Sequence, residues 1–503
     1  MSLSPFPESY WLASCEIPEY PALSGTIETD IAVIGGGITG ITTAYLLAKE
    51  GRQVVLVTSG QLIGGTTGYT TAKVTAQHDL IYDEYIRHFG AEKAGLYYRA
   101  NREALEFVAG LVEKEAIACD FTREDAYMYA VTEAGADKIR KEYAAYQRLG
   151  IPGEVVAKLP LNIAVRSAIV MKGQARFHPV PYLVHLVKEF VRMGGQVHEH
   201  TTVNKVEEGE PTRAIVREGV EIVCRELVSA AHFPVPDSGF FFARLYAENS
   251  YVLATRIPGE LPPGMYLSVE DPKRSVRAVD YGGERLLLIG GESHKTGQSP
   301  CTIKHYEALE AWARETFGEV EFPYRWSTND FTTTDNLPYI GRLNDKKPHS
   351  YVATGYRKWG MTSGTAAALL LTDMLMGRDN TYEDLYSPSR LQLNPDVKNL
   401  LVQNADVAAH LVAGKLEWPN RMAEDLGPDE GALLRIDGKK TAAYRDPKGK
   451  LHLVDATCRH MGCEVEWNVA DRTWDCPCHG SRYDYLGQVI EGPAAKPLAK
   501  VEE

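Results

Sequence analysis

Short apolar runs broken by glycine organise the first sixty positions. Asp30–Ile34 is a β-type run that stops at Gly35-Gly36-Gly37. Ile38–Glu50 then has helical character and ends before Gly51, and Gln53–Thr58 is a second run of the buried-strand type. Strand, glycine turn, helix and strand in that order predict the opening of a βαβ unit. Residues 80–150 space apolar positions three and four apart among many charges, which predicts mostly helix. Tyr182–Arg192 predicts another helix, ending at Gly194-Gly195. Residues 245–290 alternate and carry the turn pairs Pro263-Gly264 and Gly282-Gly283, as antiparallel strands do. Thr362–Gly377 predicts a last helix. Around Leu391–Trp418 the pattern becomes polar and helix-capable, and a domain boundary is expected at Glu417-Trp418-Pro419-Asn420. Short strands follow, as in Gly431–Ile436, Thr441–Tyr444 and Lys450–Val454. No internal repeat or low-complexity tract interrupts the chain.

Composition narrows the class. With 503 residues, 44% hydrophobic and 24% charged, the chain suits roughly three soluble domains at about 150 residues each. A net charge of −13 disfavours a nucleic-acid partner, since phosphate binding relies on Lys and Arg. The best membrane candidate, Ala366–Met376, is short and holds Thr372 and Asp373. A span needs roughly 20 apolar residues, so none is predicted. Met1-Ser2-Leu3 reads as a vector remnant. Without a basic segment leading an apolar run, no secretory signal is expected, and the location is expected to be cytoplasmic.

Cysteine placement adds the first chemistry. Cys15, Cys119, Cys224 and Cys301 are scattered, whereas Cys458, Cys463, Cys476 and Cys478 fall within 21 residues. One dense cluster with histidines points to a metal site rather than a disulfide scaffold. Cys458-Arg459-His460 and, fifteen residues on, Cys476-Pro477-Cys478-His479 give C-x-H…C-x-x-H. Two thiolates can hold one iron while two imidazoles hold the other, which raises the potential to about −150 to +300 mV. Such a set also suits Zn²⁺, but zinc does not need Cys463, Cys478, Ser481 and Tyr483 in register. Ser481 and Tyr483 hydroxyls are placed to donate to sulfur, raising the potential further.

This segment closely resembles the Rieske family, CxHxGC followed by CPCHGSxY, over residues 420–503. The resemblance implies Cys458, His460, Cys476 and His479 as ligands of a [2Fe-2S] cluster, and a Cys463–Cys478 disulfide bridging the ligand loops.

Gly35-Gly36-Gly37-Ile38-Thr39-Gly40 fits G-x-G-x-x-G in the right setting, after a strand and opening a helix. Gly35 permits the turn, Gly37 lets the backbone approach a pyrophosphate, and Gly40 allows close helix–strand packing. The helix N-terminus offers N–H groups to the diphosphate. The acid expected at the end of the second strand is replaced by Thr58-Ser59, whose hydroxyls are weaker ribose partners.

Three further segments resemble the D-amino-acid-oxidase/glycine-oxidase group of FAD oxidoreductases over residues 28–390. They are Gly64–Lys73, Asp335–Gly341 and Ala353–Thr362. The resemblance implies FAD, with Gly65, Thr66, Thr67, Thr71, Ala72, Asp335, Gly355, Lys358, Trp359, Gly360, Met361 and Thr362 at the flavin. It assigns Val203 and Ala230 to the second half of the nucleotide domain. The implied fold is an α/β, Rossmann-like FAD-binding domain (28–110, 165–240, 330–393) with an antiparallel-sheet α+β substrate domain (111–164, 241–329). Together these form a 1–393 oxidoreductase unit, followed by a 394–419 linker and a small all-β Rieske domain (420–503). The whole arrangement resembles bacterial FAD–Rieske fusion proteins.

Lys73 and His78 lie near the flavin loop, and Arg277 lies on a strand of the substrate sheet, where an arginine can hold a carboxylate. All three are catalytic candidates, each competing with a plain structural role. His294-Lys295 reads as a turn. The expected activity is oxidation of a small amine or amino acid by hydride transfer, with single electrons passed to the cluster and on to an acceptor protein or oxygen. Two other readings stay open: a donor protein feeding the flavin through the cluster, and a non-catalytic electron carrier.

Overall fold

A computed structural model of the chain describes residues 7–501 apart from 218, 236, 238, 391–395, 417, 418 and 420. The boundary expected at 417–420 therefore falls, Pro419 excepted, outside the described residues. So do Met1-Ser2-Leu3 and the 393/394 junction.

Ile27–Ile34 and Val54–Val57 pair in parallel at the centre of an eight-stranded sheet. Glu221–Ser229 continues it on one side and Gln196–His198 on the other, both parallel. Val54–Val57 is buried along its whole length: Val54 and Leu56 face the helices, while Val55 and Val57 pack with Val203, Val206, Ala214 and Val216 of the strands Val203–Glu207 and Thr212–Val216 on the other face. The helices Ile38–Lys49, Pro179–Arg192 and Gly360–Leu375 contribute Ile41, Leu186, Leu370 and their neighbours to the main core.

A second, nine-stranded and largely antiparallel sheet runs from Glu321–Thr333 through Leu245–Arg256, Glu284–Lys295, Arg274–Tyr281 and Met265–Ser268 to Thr122–Ala130, Ser167–Arg176 and Lys73–Val74. Three outcomes differ from expectation. Thr122–Ala130 is a strand inside the stretch expected to be helical, because Arg123, Glu124 and Asp125 hide its alternation. Lys73–Val74 and Ser167–Arg176, assigned to the nucleotide part, belong to this sheet instead. His294-Lys295 closes the strand Glu284–Lys295 rather than forming a turn, and the His294 ring stacks on His305 at 4.5 Å.

The C-terminal part holds a three-stranded and a four-stranded antiparallel sheet, as expected. The linker stretch, read as helix-capable, forms a helix over Asp396–Leu416 that braces both units. Asp406 accepts from Lys295 Nζ (2.8 Å) and Gln298 Nε2 (2.9 Å), while Val407 and Leu411 pack on the C-terminal core. The units also meet directly. Arg325 Nη1 donates to Ala470 O (2.9 Å), Thr302 Oγ1 to Asn468 Oδ1 (2.7 Å) and Asn329 Nδ2 to Gly480 O (3.1 Å). Gly480 has φ 77° and its backbone lies where a Cβ would meet the Ala247 methyl at 2.2 Å, so only glycine fits this approach.

Candidate redox sites

At the carboxyl ends of the parallel strands, where such sheets bind ligands, lies a cavity of about 1460 Å³. Gly35–Thr39 line it together with Thr58, Ser59, Val203, Ala230, Gly65, Thr66, Thr67 and Thr71. Gly37 caps the helix Ile38–Lys49. A Cβ on Gly37 would crowd Thr67 Oγ1 at 2.9 Å, so the bare backbone makes a cradle at the helix N-terminus. These residues fit a dinucleotide diphosphate. Among the described residues no acid joins Thr58 and Ser59 at the end of the second strand. The nearby Glu199 carboxylate is spent on the backbone N–H groups of Tyr20 (2.8 Å) and Leu62 (2.6 Å).

Gly40 does not line the cavity. It packs against Gly35, whose carbonyl oxygen would sit 1.9 Å from an added Cβ. Gly40→Ala is therefore expected to push the helix off the turn and abolish FAD retention in protein that still carries its cluster. The flavin-to-iron ratio of purified protein checks this.

Lys358, Trp359, Gly360 and Met361 line the far end of the cavity. Arg357 (φ 48°) and Lys358 (φ 69°) both take the left-handed backbone, a cost that two non-glycine residues accept mainly at functional sites. Lys358 Nζ donates to Ser293 Oγ (2.5 Å) and lies 3.9 Å from Glu248. Glu248 and Asp330 are cross-strand partners, and both face the cavity. Burial pushes the Asp330 carboxyl up to about 6, against the opposing pull of Lys358 and His232. Nothing in the local sequence marks this carboxylate pair, because strand register creates it.

Several expected flavin contacts lie elsewhere. Asp335 is fully buried in an ion pair with Arg390 (2.7 Å) and accepts from Thr333 Oγ1 and Leu337 N. It fastens a turn. Gly355 packs on Thr333, and Ala72 is buried beneath the loop. Thr362 donates to Thr75 O (2.9 Å), behind Trp359.

Of the catalytic candidates, only Lys73 lines the cavity. Its Nζ donates to Tyr266 O (2.8 Å), and burial, aided by Arg277, pushes its pKa down to about 7. His78 stacks on Trp359 (4.8 Å), its Nδ1 accepting from Tyr97 Oη (2.6 Å) and its Nε2 facing Thr75 O (2.7 Å). It is a buried, neutral support, its pKa pushed down to about 3 by burial. Arg277 lies past the cavity, with Trp11 over its guanidinium at 4.9 Å and Phe177 O accepting from Nη2 (3.3 Å). Arg277 is absent from the cavity lining.

In the C-terminal unit the four ligand candidates converge. The His460 and His479 rings are 4.9 Å apart, and Cys458 and Cys476 share a hydrogen bond. His460 Nδ1 is buried without a partner, as a metal-facing nitrogen is before it coordinates. Burial pushes both imidazoles down to about 4, so they are in the neutral, ligating form. Arg459 N–H donates to Tyr483 Oη (3.1 Å), leaving the phenol proton for Cys458 Sγ at 3.2 Å. Cys463 and Cys478 form the disulfide joining the two loops. The thiols of Cys463, Cys476 and Cys478 crowd together, but that bond consumes two of them, so they are not a metal set. The residues fit a [2Fe-2S] cluster held by Cys458, His460, Cys476 and His479.

The two sites are close. Phe233 lines the cavity and sets its ring 5.9 Å from that of His460. Phe242 sits 6.1 Å from His479. Among the described residues no helix is long and apolar enough to cross a membrane.

Comparisons with known proteins agree with both halves. Residues 30–374 match the family described as FAD dependent oxidoreductase (DAO), and 419–502 match the Rieske [2Fe-2S] domain. A Bacillus subtilis (strain 168) protein named as a Rieske 2Fe-2S iron-sulfur protein, YhfW, is 46% identical over 497 residues, 99% of this chain and 98% of that one. Gamma-glutamylputrescine oxidoreductase of Escherichia coli (strain K12) is 21% identical over 73% of this chain and 89% of its own. Glycine oxidase from Geobacillus kaustophilus shares the fold at TM-score 0.61 and 19% identity, over 73% of this chain and 100% of that one. The chain belongs to the DAO family of FAD-dependent oxidoreductases and carries a Rieske [2Fe-2S] domain at its C-terminal end.

Proposed function

We propose that the chain oxidises a small amine or amino acid, with FAD in the cavity taking the hydride and the [2Fe-2S] cluster taking electrons one at a time. The observation that carries this reading is Phe233, one side chain touching both the flavin cavity and the ring of a cluster histidine. The names of two relatives, an oxidoreductase of gamma-glutamylputrescine and a glycine oxidase, support a nitrogen-bearing substrate.

The chain's own residues supply binding and proton handling. Asp330 and Glu248, two carboxylates side by side on paired strands, favour an ammonium group. The Asp330 carboxylate, unpartnered by hydrogen bonds among the described residues and nine-tenths buried, holds that ammonium and accepts its proton. The neutral amine that remains is the form able to give up hydride. Lys358, tied to Ser293, keeps Glu248 paired and leaves Asp330 for the substrate.

An anaerobic screen of amines and amino acids, read by flavin absorbance, tests the reading. At least one compound bleaches the flavin. Failure of all of them, with dithionite still bleaching it, contradicts the reading. Asp330→Asn is expected to lower kcat/KM for that compound by about 100-fold. In the unaltered protein kcat/KM falls as pH drops through about 6, because protonation removes the acceptor. The variant loses that limb, and a variant that keeps it assigns the limb to another group.

A further inference from the structure

We infer that the Rieske domain is a wall of the flavin site: its segment Gln488–Ala495 closes the dinucleotide cavity, so FAD binding and domain docking are one coupled equilibrium. The inference rests on FAD occupying this cavity, not on the substrate or the direction of electron flow.

Gln488–Ala495 line the same cavity as the glycine turn. The segment contains the strand Val489–Glu491, which pairs with Arg482–Asp484 next to the second cluster loop. Its contacts run the length of the site. At one end Glu491 reaches across the domain border to His232 Nδ1 (2.6 Å) and Thr66 Oγ1 (3.3 Å). Phe331 N–H points at His232 Nε2 (3.3 Å), so the ring proton is on Nδ1 and is donated to Glu491. Thr66 adjoins Thr67, whose hydroxyl accepts the Ile38 N–H (3.1 Å) in the first turn of the glycine-motif helix. Glu491 is thus two residues from the diphosphate cradle. At the other end Arg217 Nη2 donates to Ala495 O, and Arg217 N donates to Thr202 O (2.9 Å) beside Val203. Arg217, Thr202 and Val203 all line the cavity.

The wall is held in place by bonds away from the cavity, those of Arg325, Thr302 and Asn329 to the Rieske domain. A ligand that contacts both domains stabilises their docked arrangement, and by linkage the docked arrangement retains the ligand. The C-terminal domain therefore locks the flavin in as well as exchanging electrons with it.

The test uses the full chain, deflavinated with its cluster kept, in hydrogen–deuterium exchange with and without added FAD. FAD is expected to slow exchange in peptides covering 486–496 together with those covering 34–40 and 62–69, while 439–445, remote from the cavity, stays constant. A second measurement follows FAD release by recovery of flavin fluorescence in an Arg217→Ala, Glu491→Ala double variant. Release is expected about tenfold faster than in the unaltered protein, the loss of charge-assisted bonds, with cluster absorbance unchanged. An unchanged 486–496 peptide, or an unaltered release rate in the double variant, overturns the inference.

Discussion

Cys476→Ser yields a protein without its [2Fe-2S] cluster that still holds FAD. Cys476 is buried, its N–H donating to Ser481 O (2.8 Å) and its carbonyl accepting from Gly480 N (3.0 Å). Serine preserves both bonds and nearly the same volume, so the loop has no packing reason to collapse. The Cys463–Cys478 disulfide continues to hold the two loops together. What is lost is ligand chemistry: a thiolate forms readily at the iron, whereas a hydroxyl is a poor, hard donor that resists deprotonation. Iron and acid-labile sulfide per chain are expected to fall to background, and the EPR signal of the reduced protein to vanish. The flavin spectrum persists, because Cys476 is absent from the cavity lining. Retention of a full complement of iron contradicts the ligand assignment.

Arg482→Met is expected to destabilise the Rieske unit by about 3–5 kcal/mol, the usual cost of stranding buried carboxylates. The Arg482 guanidinium is almost wholly buried between Asp471 (2.8 Å) and Asp475 (3.2 Å). It also reaches Ser327 Oγ (3.4 Å) of the flavin domain. Methionine fills part of the space and leaves two acids without their cation. Heating while following visible cluster absorbance isolates this unit from the rest, since a chain of several domains has no single unfolding midpoint. The midpoint of cluster bleaching should fall by about 10 °C or more. Arg482→Lys, which keeps the charge but not the fork, should lie between the two. A methionine variant that bleaches at the unaltered temperature would remove this network from the account.

What could be read from the sequence was what local spacing encodes. The glycine turn from Gly35 to Gly40 is one strand end and one helix start, and both its geometry and its packing glycine are contained in six residues. The cluster ligands sit in two short loops with fixed offsets. The substrate end behaves differently. Glu248 meets Asp330 because two long strands pair in one register, and no local pattern encodes that register. Arg277 has the expected strand but does not line the cavity. Ser275, two residues earlier, lines the cavity, whereas Arg277 lies one step further along the strand, under Trp11 of the N-terminal helix. That cover is a contact between distant parts of the chain. The pairing of His232 with Glu491 is hidden for the same reason, since only domain docking brings them together. Asp335 sits in a segment resembling the flavin group, yet its carboxylate answers Arg390.

The central claim is that flavin and cluster form one electron path starting at an amine. Anaerobic mixing of the full protein with an amine that bleaches its flavin, with rapid-freeze EPR following the cluster, tests this most directly. The account predicts that flavin absorbance falls first and the reduced-cluster signal rises after it, with no added mediator. A flavin fully reduced beside a cluster that stays oxidised would contradict it.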